Sequence, residues 1–265
     1  MPKIIKIAPS KESEQVLSNP ITVVSRSITM NSVVSKHSHS WGQFVYAHSG
    51  VLAVSTPSNR YIVPPEQGVW ILPKIEHEVT AISNVQLTSF YFEIALLNVL
   101  PVECCVLKVN EFLKALIKEA NIIKGDYQWN STDGRLLRLI LDRLTQAPNE
   151  VFQLPYPKDK RLLTMLTAIQ ASPENNSSLE QWGKVVGASA RTLSRLFKKE
   201  TGLSYSEWRQ RLNIQIAITQ LSLGKSITSI SLHLGYESPS SFIHMFKTKT
   251  GMTPSFYREN TKVKK

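Results

Sequence analysis

The sequence predicts a multidomain α+β protein: an N-terminal β-barrel with helices behind it, then an all-α C-terminal domain. Three observations carry this. Residues 20–94 are rich in Val, Ile, Thr, Ser and aromatics and are broken by turn signals. Beyond Pro101 the apolar positions recur at helical spacing. The formal net charge of +11 is concentrated in the second half of the 265 residues.

Taken in order, the first region reads as seven short strands, near Ile21–Ile28, Gln43–His48, Val51–Thr56, Arg60–Val63, Val69–Leu72, Glu78–Ala81 and Gln86–Ile94. Pro57-Ser58-Asn59, Pro64-Pro65 and Gly68 separate them. That many strands in so little chain favours a sandwich or barrel. Glu111–Lys124 then places Phe112, Leu116, Ala120 and Ile123 on one helical face, with Gly125 as a stop. Asp133–Ala147 carries Leu136, Leu137, Ile140, Leu141 and Leu144 over more than one face, which suits a helix that also meets a second copy of the chain. The expected organisation is a sensing barrel over 1–100, a helical connector and dimerisation segment over 101–150, a proline-rich linker over 151–158, and a helical domain over 159–265.

Composition excludes several classes. The longest greasy stretch, Ile94 to Leu107, is interrupted by Asn98, Pro101 and Glu103, so no membrane span is expected. The first thirty residues hold no compact apolar block before a cleavage site, and the two cysteines, Cys104 and Cys105, are adjacent. A disulfide framework and a thiolate zinc site are therefore not expected, and a reducing cytoplasm is the expected compartment. Residues 1–157 hold 14 Lys and Arg against 13 Asp and Glu, whereas residues 158–265 hold 17 against 7. The basic half is expected to meet a polyanion. Lys262, Lys264 and Lys265 form a basic tail, yet without them the C-terminal balance is still +7.

The most informative feature is a self-match at an offset of 49 residues: Leu196–Arg209 lies over Met245–Arg258 with Phe, Lys, Thr, Gly, Ser and Arg in register. Each copy reads as helix, glycine turn, helix. In the first, Ser178 and Gln181 form a capping box for a helix through Leu179, Trp182 and Val185; Gly187 turns, Ser189 caps the next helix and Gly202 stops it. In the second, Ser226 opens a helix with Ile227, Ile230 and Leu234, Gly235 turns, Ser238-Pro239 opens the next and Gly251 stops it. Two helices on a tight turn are the DNA-reading helix-turn-helix, and two copies in a strongly basic region favour DNA over plain packing. Between the copies, Tyr205–Leu223 carries Trp208, Leu212, Ile216 and Leu221 at helical spacing. Such a helix is roughly 28 Å long, comparable with the repeat of about 34 Å between successive major-groove faces.

Residues 160–260 resemble the DNA-binding domain of the AraC/XylS family of bacterial transcription regulators. The resemblance rests on SLEQWGKVVGASARTLSRLFKKETGLSYSEWRQRLNIQIAITQLSLG and SITSISLHLGYESPSSFIHMFKTKTGMTPSFYR, above all on Gly235-Tyr236, Phe246-Lys247 and Gly251-x-x-Pro254. It implies seven helices holding two helix-turn-helix units, each lodging its second helix in the major groove. Carried onto this chain, it presents Arg191, Ser194 and Arg195 from the first reading helix, with Leu193, Leu196 and Phe197 inward. The second presents Ser240, Ser241 and His244, with Phe242, Met245 and Phe246 inward. Arginine can bond guanine O6 and N7 together, so the first helix is expected to carry more sequence information. Lys198, Lys199, Arg209, Lys225, Lys247 and Lys249 are the phosphate candidates.

In the N-terminal half, His37-Ser-His39-Ser-Trp-Gly-Gln43 followed by Gly50 resembles the first cupin motif, with Gln43 where glutamate is usual; Gly68, Pro73 and His77 resemble the second. Residues two apart on a strand share a face, so His37, His39 and His77 could converge on a metal. The favoured reading is instead an effector pocket of His37, His39, Trp41, Gln43, Tyr46, Trp70, His77 and Phe92, with no catalytic residue and no required cofactor, although the histidines admit a divalent metal. The expected protein is a DNA-binding transcription regulator, not an enzyme. It would act as a homodimer on double-stranded promoter DNA and answer a small-molecule effector. The alternatives are a metal-dependent cupin enzyme with an accessory DNA-binding domain and a non-specific basic DNA binder.

Overall fold

The computed structural model describes residues 5–8, 17–123, 125–150 and 153–261. The chain forms two compact units. The first runs through Pro57 and from Tyr61 to Gln153, and the second comprises Ser58–Arg60 and the chain from Leu154 onward. Lys124, residues 151 and 152 of the expected linker, and the Lys262–Lys265 tail lie outside the described residues.

The first unit holds β1 (Ile5–Ile7), β2 (Ile21–Ile28), β3 (Ser32–His37), β4 (Gly42–Ser49), β5 (Leu52–Ser55), β6 (Asn59–Val63), β7 (Gln67–Ile71), β8 (His77–Ala81), β9 (Val85–Phe92), β10 (Cys105–Lys108) and β11 (Asn149–Glu150). A 3-10 turn, Ile94–Val99, and the helices α1 (Glu111–Ala120) and α2 (Thr132–Thr145) complete it. In one sheet the strands run β1, β3, β8, β5, β6; in the other, β11, β10, β7, β4, β9, β2. The expected barrel is therefore a pair of sheets whose inward side chains meet across a cavity, rather than one sheet closed on itself.

The second sheet is covered on both faces. From β4 and β9, Gln43, Val45, Leu87, Ser89 and Tyr91 line the cavity. Phe44, Tyr46, Phe90 and Phe92 point the other way, into a core shared with Leu113 and Ile117 of α1 and Leu137, Ile140, Leu141 and Leu144 of α2. Gly68 stands opposite Tyr46 in the β4–β7 ladder, and a Cβ there would run into the Phe44 ring. The face of α1 differs from expectation by one position. Leu113, Ile117 and Ala120 are buried, whereas Phe112 is 53% exposed.

The second unit begins with β12 (Gln153–Pro155), which straddles the boundary, and continues through α3 (Lys160–Ala171), α4 (Leu179–Val186), α5 (Ala190–Thr201), α6 (Tyr205–Ser222), α7 (Ile227–His233), α8 (Pro239–Thr250) and α9 (Pro254–Thr261). The helical starts and stops follow the local signals. Ser178 and Gln181 form the full capping box, and Gly187, Gly202, Gly235 and Gly251 all adopt positive φ. On α4 the inward residues are Trp182 and, partly, Leu179 and Val186; Val185 faces solvent. Met165, Leu166 and Ile169 of α3 pack with Trp182, Leu193, Phe197, Trp208 and Leu212 in one core. Phe242, Phe246 and Tyr257 pack in another, with Phe242 and Phe246 tilted by 57° and Phe246 edge to face with Tyr257. The helix α6 is buried on every side, with Trp208, Leu212, Ile214, Ala217, Ile218 and Leu221 all inside, and it packs against α5, α7 and α9. No described helix is long and apolar enough to cross a membrane.

Candidate nucleic-acid interface and histidine cluster

The 49-residue repeat persists down to single hydrogen bonds. Thr201 Oγ1 donates to Phe197 O at 2.7 Å and accepts from Leu203 N at 3.2 Å. One repeat later, Thr250 Oγ1 donates to Phe246 O at 2.8 Å and accepts from Met252 N at 3.3 Å. Ser189 accepts from Thr192 N at 3.1 Å to start α5, and Ser238 accepts from Ser241 N at 3.2 Å to start α8. The two hairpins α4–α5 and α7–α8 are thus the same device built twice.

Each leaves the outer face of its second helix free of the core. Arg191, Ser194 and Arg195 are exposed on α5, at the i, i+3, i+4 spacing that gathers side chains on one face. Ser240, Ser241 and His244 are exposed on α8. Under the repeat, Arg191 corresponds to Ser240 and Arg195 to His244. Leu193, Phe197, Phe242 and Phe246 are buried, while Leu196 and Met245 are half-buried. Lys198, Lys199, Lys225, Lys247 and Lys249 are exposed, and Lys198 Nζ also donates to Gly202 O at 2.9 Å.

Arg209 departs from expectation. It is only 8% exposed, and its Nη2 donates to Pro173 O at 2.9 Å and Asn176 Oδ1 at 3.0 Å. Asn176 Nδ2 in turn donates to Gly235 O at 2.9 Å. Arg209 therefore ties the loop before the first hairpin to the turn of the second and is not placed to meet phosphate. Burial lowers its pKa from the usual guanidinium value. Asn176 and this bracing role had no signal in the sequence, because a lone arginine in a basic helical region looks like a surface charge.

In the first unit, His37 ends β3 opposite His77 at the start of β8, and His39 follows in the next loop. The ring centroids of His37 and His77 lie 4.3 Å apart, and those of His39 and His77 5.1 Å apart. One ring nitrogen of each lies within 4.8 Å of one from each of the others. His39 Nε2 faces Gln43 Oε1 at 3.0 Å, and Gln43 Nε2 donates to Ser89 Oγ at 3.2 Å. Burial lowers the pKa of His39 and pushes that of His77 down to about 4, which favours the neutral ring at both.

His37, Gln43 and His77 line the cavity between the sheets with Arg26, Ser89 and Tyr91. It is a narrow space of about 40 Å³, room for an ion or a few water-sized groups, and it opens to solvent at its mouth. Trp41 stacks on His39 with ring planes 3° apart and borders a neighbouring cleft with Leu17 and Ile94. Tyr46, Trp70 and Phe92, expected in the pocket, are instead in the core beneath α1 and α2. The cause is the two-residue period of a strand: Gln43 and Tyr46 differ by an odd number, so they leave β4 on opposite faces. Arg26, Ser89 and Tyr91 take their place, and the β2–β9 ladder, invisible before the pairing was known, is what brings Arg26 there.

Comparison with known proteins agrees with both halves. Residues 19–151 match the AraC-like ligand binding domain, and residues 182–260 match a helix-turn-helix domain. The chain is 31% identical over 221 residues to the HTH-type transcriptional regulator NimR of Escherichia coli K12, covering 83% of this chain and 81% of NimR. It is 34% identical over 122 residues to the HTH-type transcriptional regulator RipA of Corynebacterium glutamicum, covering 46% of this chain and 35% of RipA. Identity to the HTH-type transcriptional regulator YobQ of Bacillus subtilis is 24% over 237 residues, 87% of this chain and 91% of YobQ.

Proposed function

The chain belongs to the AraC-type family of helix-turn-helix transcriptional regulators, and from that premise we propose how its residues divide the work. It is a transcriptional regulator with a DNA-binding helix-turn-helix domain and a ligand-binding domain. In our reading, α5 and α8 enter major grooves of double-stranded promoter DNA. Arg191 and Arg195 read base edges, assisted by Ser194, Ser240, Ser241 and His244; Lys198, Lys199, Lys225, Lys247 and Lys249 hold phosphates. DNA reading itself calls for no cofactor. A small molecule entering the cavity beside His37, Gln43 and His77 biases the regulator by preferring one arrangement of the chain over another. It acts in the cytoplasm, as a homodimer and not as an enzyme; the neutral Gln43, where a ligating or basic carboxylate would be wanted, supports the non-catalytic reading.

The observation that carries this proposal is the duplicated hairpin with two outward second helices in the basic half. The test starts by selecting bound fragments from genomic DNA with the purified protein. On the recovered site, Arg195→Ala is expected to cost roughly 1–3 kcal/mol and to relax preference at one base pair, whereas Lys199→Ala weakens cognate and scrambled duplexes alike. Equal losses on both duplexes for Arg195→Ala would sink the base-reading assignment.

A further inference from the structure

The histidine cluster presents a set of mismatched hydrogen-bonding atoms. Each ring is held in the same way: Nδ1 faces a backbone carbonyl, that of Ser35 at 2.9 Å for His37, of Trp41 at 2.8 Å for His39 and of Ile75 at 2.9 Å for His77. A carbonyl can only accept, so Nδ1 carries the hydrogen, and a ring with that single hydrogen keeps a lone pair on Nε2. The buried Nε2 of His77 then meets no partner. The lone pair of His39 Nε2 points at Gln43 Oε1, an acceptor facing an acceptor, while the Gln43 amide nitrogen is engaged by Ser89. Turning the amide round would relieve His39 and leave His77 unserved. A cation relieves both.

We propose that His37, His39 and His77 bind one divalent first-row transition-metal ion through Nε2, with Gln43 Oε1 beside it and the remaining coordination position open to the cavity between the sheets. The donor set is right for such an ion. Neutral imidazoles are its commonest nitrogen ligands, and a carbonyl bonded to the second ring nitrogen is the usual device for fixing the ligating tautomer. Three nitrogens about 2.1 Å from one ion stand about 3.4 Å apart, so the ring nitrogens, now within 4.8 Å of one another, reach it by small side-chain rotations. Gln43 is neutral, so the centre keeps the ion's full double charge. That charge and Arg26 on the same cavity wall favour an anionic effector with an oxygen donor. The inference deepens the sensing role proposed above, and rests on it only for any consequence at DNA.

The test uses untagged full-length protein stripped with chelator. It is titrated with Zn(II) by calorimetry and with Co(II) by visible absorption, and each sample is also assayed on the selected DNA site. The expected result is one ion per chain and the visible bands of low-coordinate Co(II). His37→Ala, at a half-buried position that leaves the fold intact, should weaken binding at least roughly tenfold. Gln43→Glu should tighten it, because a carboxylate replaces the amide oxygen beside the ion. Folded wild-type protein that takes up neither ion stoichiometrically, or uptake unchanged by His37→Ala, overturns the proposal. If DNA binding survives that outcome, the metal centre alone has failed; if cognate DNA binding is missing too, the regulatory reading has failed with it.

Discussion

A guanidinium withdrawn from water must recover in bonds what it loses in hydration, and Arg209 does so through Nη2, which bonds Pro173 O and Asn176 Oδ1, while its buried Nη1 meets no partner. Arg209→Met should destabilise the protein by roughly 1–3 kcal/mol in urea unfolding, since two acceptors lose their charged donor. Asn176→Ala removes the next bond in the chain, so the double variant should cost measurably less than the sum of the singles. Strict additivity would show that the two side chains do not act together. Gly68 carries a second prediction at this scale. A methyl group there collides with the Phe44 ring, so Gly68→Ala should cost roughly 1–3 kcal/mol, and adding Phe44→Leu should recover part of it. If Gly68→Ala is neutral, or the second change recovers nothing, the close approach is not what requires glycine. Single residues were the least legible feature of the sequence. Composition marked Arg209 as a charge, and only the fold shows that it is a brace.

At the scale of elements, the repeat is chemical as well as sequential, so equivalent changes in the two hairpins should act in the same direction. Thr201→Val and Thr250→Val each remove a hydroxyl that donates to the preceding turn and accepts from the chain beyond the stop. Each should cost roughly 0.5–1.5 kcal/mol, and more at Thr201, which is buried, than at the half-buried Thr250. Thermal denaturation of both variants checks the sign and the order; a stabilising change at either site would contradict the shared role. These helices were legible because their caps and glycine stops are local chemistry. Ile21–Ile28 was likewise legible, as β2, from β-branched residues between turn signals. The strand β3, Ser-Val-Val-Ser-Lys-His, was not, since its serines and its lysine weaken the apolar signal and pairing with β8 is what holds it. The face of α1 was misplaced for a related reason: Phe112 and Leu113 are both apolar, and periodicity alone does not decide which one a sheet will cover.

For the whole molecule, the question is what the remaining apolar surface is for. The apolar residues of α2 divide in two: Leu137, Ile140, Leu141 and Leu144 are buried in the unit's own core with Leu136 packed partly against it, while Leu139 is half-exposed. One turn on, Arg143 lies 5.8 Å over the ring of the exposed Phe112 of α1, so Phe112, Leu139 and Arg143 share one outward face. An isologous pair built on this face would bring four reading helices to one operator. Leu139→Lys introduces a charge there without touching the core, so sedimentation should shift from dimer to monomer while thermal stability changes little. The same variant separates pairing from DNA reading. Joining two binding modules commonly strengthens avidity by about 10²–10⁴-fold. Affinity for a full two-half-site operator should therefore fall by a large factor, whereas affinity for an isolated half-site should stay near that of the wild type, because α5 and α8 are unaltered. A variant that remains dimeric, or that loses the half-site and the full operator equally, would remove this face from the assembly.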